Sequence, residues 1–145
     1  MPPADPFNFE RFVSAQRPVF DTVLAELRAA RKRSHWIWFI FPQLAALGHS
    51  PTAKFYGIAS LEEARAYLAH PVLGPRLEAC TGIVLTAKAS SLHAIFGSPD
   101  DLKFRSCMTL FSPATGQANN QFQKGLERWC GGHSDDRTLA ILKAS

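Results

Sequence analysis

Apolar residues recur along most of this chain at spacings of three and four, the period of a helix with one buried face. Phe9, Phe12 and Val13 open the series, with Asp5 and Asn8 bracketing the start of a first helix. Proline fits a first helical turn but not a helix interior, so Pro18 divides this helix from a second, which carries Val19, Val23, Leu24 and Leu27 up to Arg33. Ser50-Pro51 has the form of an N-cap with proline in the first helical position, for a short helix ending near Gly57. Ser60-Leu61-Glu62-Glu63 reads as a capping box, in which the serine accepts from the N–H three residues on and Glu63 reaches back to the serine N–H. His70-Pro71 marks a boundary, after which Val72, Leu73, Leu77, Cys80 and Val84 predict a helix to about Ala87. Further helices are expected from Ser91 to Phe96, from Ser98-Pro99 to about Phe111, from Asn119 or Asn120 to Gly131-Gly132, and from Ser134 or Asp135 through Leu142.

One stretch breaks the pattern. From Trp36 to Phe41 six consecutive side chains are large and apolar, leaving no polar face. A lone strand there would have no ladder partner for its backbone groups, so a buried helix or tight helical turns, stopped by Pro42, is expected. The whole pattern predicts an all-α fold: a compact single-domain bundle of about seven to nine mostly short helices over residues 1–145, with 1–6 as a flexible amino-terminal tail.

Composition narrows the function classes. Apolar residues at 46% and charged residues at 19% place the 145-residue chain among ordinary globular domains. No apolar stretch approaches the ~20 residues that span a bilayer, and Met1 to Pro6 has neither a basic nor an apolar leader region, so the cytoplasm is the expected address and a membrane is not an expected partner. Cys80, Cys107 and Cys130 are odd in number and widely spaced, which suits buried free thiols rather than disulfides or a metal site. The five histidines never stand three or four residues apart, and no metal or cofactor is expected. The net charge of +4 is mild, and Arg28, Arg31, Lys32 and Arg33 read as a solvated helix terminus, so nucleic acid is not the expected partner.

No dinucleotide, Walker, nucleophile-elbow or zincin motif is present. Two clusters remain. His35 and Gln43 flank the aromatic segment, with Ser50 and Tyr56 downstream. Trp36 and Trp38 could stack on a flat ligand that the polar groups orient, and His35 is the candidate proton donor or acceptor. Asp100, Asp101, Lys103 and Arg105 precede Ser106 and Thr109 at a predicted helix start, where cations and the helix dipole suit a phosphate. Each cluster has a structural alternative: an aromatic core, and acids that answer the helix dipole while pairing with surface cations.

The string His35-Trp36-Ile37-Trp38-Phe39-Ile40-Phe41-Pro42-Gln43 resembles the bacterial domain of unknown function 1810 family, sometimes labelled calpastatin. So do Tyr56-Gly57, Tyr67-Leu68-Ala69-His70-Pro71, Ile95-Phe96-Gly97 and Ser106 to Phe111. The resemblance runs from about Asp5 to Leu142 and implies a compact all-helical domain, with no established reaction. A looser similarity of layout links the chain to the NADAR, or YbiA-like, proteins, which act on ADP-ribose-type N-glycosides. Together these readings lead to a domain that binds a small phosphorylated molecule, a nucleotide or an ADP-ribose-like ligand. Trp36, Trp38, Gln43, Ser50, Tyr56, Lys103, Arg105 and Thr109 are its candidate contacts, and hydrolysis is an open extension. The alternative is a non-enzymatic protein-interaction module with a structural aromatic core, whose protein partner is unknown.

Overall fold

The computed structural model describes residues 4–144. The fold is all-α: α1 (Glu10–Gln16), α2 (Phe20–Arg28), α3 (Ile37–Ile40), a 3-10 turn (Ala45–Leu47), α4 (Pro51–Phe55), α5 (Leu61–Ala69), α6 (Leu73–Thr86), α7 (Leu92–Phe96), α8 (Asp100–Ala114), α9 (Gln121–Trp129) and α10 (Asp136–Ala144). These ten α-helices slightly exceed the expected seven to nine, with α3 a helix of its own where a helix or tight turns were expected. Leu44 and Ile58 form one isolated parallel bridge, and no strand occurs among the described residues.

Helix α8 is the central element, packed against α5, α7, α9 and α10. Its inner face carries Phe104, Cys107, Met108, Leu110 and Phe111, all buried. Around its first turns Phe41, Phe96 and Phe104 meet edge-to-face or stacked at 5.2–5.7 Å between ring centroids. Further along, Phe111 contacts Tyr67 and Phe122. Such aromatic pairs contribute beyond their buried area, by about 0.5–1.5 kcal/mol each.

Local capping chemistry sets most helix starts. The side chains of Ser50, Ser60, Ser91 and Asn120 each accept from a backbone N–H three residues on, and Asp135 accepts from Thr138 N–H. His70 closes its turn as a cap for α6, its Nδ1 accepting from the N–H groups of Val72 and Leu73. Asp5, within the expected tail, holds the N–H groups of Phe9 and Glu10, so this part of residues 1–6 is tied to α1; residues 1–3 lie outside the described residues.

Three expectations change. The capping box is half made: Ser60 caps Glu63, but Glu63 Oε1 accepts from Ala59 N–H, and Oε2 turns to Arg11 at 3.1 Å. Helix α8 starts at Asp100 with Pro99 in the N-cap position, so Ser98 is not its cap. Helix α2 stops at Arg28 rather than Arg33, because Ala30 adopts φ +55°, Ala30 N–H donates to Leu27 O, and Arg31 N–H donates to Glu26 O. That is a Schellman ending with alanine where glycine is usual. It redirects the basic run, and Lys32, only 6% exposed in its side chain, points inward instead of ending a solvated helix.

Glu26 fastens the segment that follows. Its carboxylate accepts from Arg33 N–H, Ser34 N–H, the Ser34 hydroxyl and the Trp36 indole at 2.6–3.0 Å. Burial alone would raise its pKa, but these donors outweigh burial and pull it from 4.5 to about 2. A folded-state pKa below the unfolded one adds stability that is complete above pH 4.5 and disappears as pH falls towards 2. The stability difference between the parent and Glu26→Gln, measured by urea unfolding, should therefore shrink across that window. A difference that stays constant from pH 6 to about 2 would contradict the assignment.

Candidate functional site

A cleft of about 250 Å3 opens between the first half of α8, the 3-10 turn and the start of α10. It gathers Gln43, Lys103, Arg105 and Ser106 with Asp135 and Arg137, while Leu47, Pro99 and Leu102 supply apolar wall. Helix α8 places Lys103 and Ser106 one turn apart on the same face. Gln43 is held in place by the bridge, since its carbonyl accepts from Ile58 N–H at 2.9 Å.

Cations predominate. Lys103 Nζ lies 3.8 Å above the centre of the Trp38 ring and 3.2 Å from Asp100 Oδ1. Asp100 also faces Lys32 Nζ at 2.8 Å, so two lysines share one carboxylate. Burial pushes the Asp100 pKa up, but hydrogen bonds and charge from Lys32 and Lys103 outweigh this and hold it below the usual range. Arg105 donates from Nε to His133 O at 2.9 Å and from Nη2 to Ser134 O at 2.8 Å, contacts that leave its charge unneutralised. Arg137 is exposed and makes no ion pair among the described residues. Of the lining groups only Asp135 is acidic, and its Oδ2 is occupied by the Thr138 N–H and hydroxyl.

The structure brings together Gln43, Lys103 and Arg105, which the sequence placed in two separate clusters. Trp38 joins them through the Lys103 contact, while Trp36 does not: it is 1% exposed and packs on Phe41 and Phe96. Thr109 is buried behind the cleft, its hydroxyl donating to Arg105 O and accepting from Asp135 N–H, and so it fixes the 133–135 segment across α8. Ser50 caps α4, and Tyr56 packs among Phe12, Phe39 and Phe55, so neither lines the cleft. His35 is exposed beside Trp36 and also stands outside it. Sequence reading missed Arg137, for which no local signal exists, and Lys32, whose role rests on the unexpected end of α2.

None of the three cysteines lines this cleft. Burial pushes Cys80 up to about 12 and Cys107 well above its ordinary value, which disfavours the reactive thiolate. Among the described residues no three His, Cys, Asp or Glu side chains are grouped to hold a metal ion, and no helix is long and apolar enough to cross a membrane.

A small all-α domain with a cationic cleft beside its central helix is thus the class that fold and site define. Residues 6–142 match the sequence model of the family described as "Protein of unknown function (DUF1810)", and the chain belongs to that family. Among solved structures it is similar to the conserved hypothetical protein Rv1873 from Mycobacterium tuberculosis. The two share 56% sequence identity over 97% of this chain and 100% of that one, with a TM-score of 0.94. A comparison with curated proteins finds no match.

Proposed function

We propose that the cleft binds a small phosphorylated molecule of nucleotide type, with its phosphate at Lys103 and Arg137. The observation that carries this reading is the convergence of three cations from α8 and α10 on a cleft with a single, already engaged carboxylate. Arg137 offers an unpaired guanidinium, whose donors suit phosphate bidentately. Lys103 shares the one Asp100 carboxylate with Lys32, which leaves the trio a net positive charge, Trp38 restrains its ammonium, and Gln43 adds neutral hydrogen-bonding capacity at the rim. Binding rather than hydrolysis is the proposed activity, because Asp135 is held in a helix cap and His35 stands outside the cleft.

Calorimetric titration with inorganic phosphate and with ADP tests this reading. Both should bind, and affinity should fall with added salt. Arg137→Ala should weaken both by about ten- to a hundredfold, the equivalent of one charge-assisted hydrogen bond. Absence of binding by either compound at millimolar concentration, or unchanged affinity in Arg137→Ala, would overturn it. The second reading is a protein-interaction module with a structural aromatic core. It draws on the burial of Trp36 and on Leu102, which is 56% exposed at the edge of the same cleft. A partner whose capture is abolished by Leu102→Asp, with no phosphate binding, would favour it.

A further inference from the structure

One turn beyond the cationic cleft, the same helix borders a second cavity of about 370 Å3. Its walls come from the end of α8, the 115–120 loop, the first turn of α9 and a side chain of α10. None of its eleven lining residues is charged. It therefore offers no cation to pair with a phosphate or carboxylate, which favours a neutral ligand.

Its polar groups are mostly side-chain amides, and they differ in what they have left to give. Asn120 is fully engaged: Oδ1 accepts from Gln123 N–H at 2.9 Å, while Nδ2 donates to Ser112 O and Gln117 O at 3.1 and 2.9 Å. This holds the loop closed and caps α9. Gln117 and Asn119 are exposed and Gln123 half-buried, and their side-chain amides make no hydrogen bond among the described residues, so they face the opening with donors and acceptors that only water meets. Asn119 is presented by a backbone at φ +54°, a conformation asparagine tolerates better than most residues. Each free amide offers two donors and one carbonyl acceptor. The apolar lining is Leu126, buried, together with Leu139 and Pro113.

Unpaired amides over an apolar floor suit a flat ring with a polar edge and two apolar faces. Amide side chains match the paired donor and acceptor of a base edge, as Asn and Gln do with adenine, and enclosed bases elsewhere are held by edge hydrogen bonds with apolar groups on their faces. A free sugar fits less well. Its hydroxyls point from every side, and those against Leu126 and Leu139 would lose water without replacement. We infer that this cavity is a binding site for a neutral nucleobase, recognised by the amides of Gln117, Asn119 and Gln123. The inference does not depend on anion binding at Lys103 and Arg137.

Titration of the intact protein with adenosine, uridine and free ribose, followed by backbone amide NMR shifts, tests it with uncharged probes. At least one nucleoside should bind, with shifts concentrated over residues 109–126 and little effect from ribose. Asn119→Gly, which keeps the φ +54° backbone, and Gln123→Ala remove side chains that cap nothing, so both variants should fold, and each should weaken nucleoside binding by about tenfold or more. Three results would overturn the inference: ribose reproducing the nucleoside shifts, no nucleoside binding at millimolar concentration, or binding that both variants leave unchanged.

Discussion

Trp36→Ala is expected to lower stability by about 3–5 kcal/mol, the loss usual when a buried aromatic is cut to a methyl. A domain of this size has only ~5–15 kcal/mol in total, so the variant should unfold at much lower denaturant or be recovered as insoluble protein. Trp36 is 1% exposed, touches Phe41 and Phe96, and has the Lys32 ammonium 5.0 Å from its ring centre. Its removal would also leave the indole's acceptor, Glu26, one donor short. Trp38→Ala should cost clearly less, because Trp38 is half-buried and part of its ring faces Lys103 rather than core. Urea unfolding of the two variants side by side checks the order. Equal losses would mean that the ring of Trp38 is as embedded as that of Trp36.

Arg11→Ala is expected to cost a similar amount, about 3–5 kcal/mol, by the different route of leaving a buried charge without its partner. The Arg11 side chain is 9% exposed and that of Glu63 5%, and they pair at 3.1 Å. The same guanidinium donates to the carbonyls of Phe7, Asn8, Phe55 and Gly57, joining the start of α1 to the end of α4. Removing it strands these acceptors together with the carboxylate. Changing both partners, as Arg11→Met with Glu63→Gln, should recover part of the loss, since no unpaired charge then remains buried. A double-mutant cycle reads this directly, and additive losses for the two single changes would show that the pair is not coupled.

Short-range chemistry made much of the fold legible. Ser50, Ser60, Ser91, Asn120 and Asp135 each satisfy an N–H three residues away, an interaction completed within one turn; the order of residues placed these starts, the last two only to one of two neighbours, Asn119 or Asn120 and Ser134 or Asp135. The same holds for His70 before α6 and for the single buried turn of α3 stopped before Pro42. The family resemblance, carried by the run from His35 to Gln43, also rests on contiguous residues.

Tertiary structure decided the rest wherever a residue had two acceptable local fates. Glu63 suited a capping box, but Arg11, 52 residues away, claims one of its oxygens. Ala30 could have continued α2, yet it takes a left-handed turn that no local rule assigns to alanine, and this sends Lys32 inward to Asp100 and Trp36. Trp36 and Trp38 have the same side chain two positions apart. Only the packing of Phe41 and Phe96 on one side, and of Lys103 on the other, makes the first core and the second a support for a lysine of the cationic cleft. Gln43, Lys103 and Arg105 were visible as polar residues near apolar runs, but their meeting with Arg137 depends on α10 folding back across α8. The sequence by itself thus determined where helices begin and which faces are apolar, because caps and periodicity act within a turn. Which charges are buried, and which polar groups share a cleft, depended on contacts between residues tens of positions apart, and these exist only once the helices have packed.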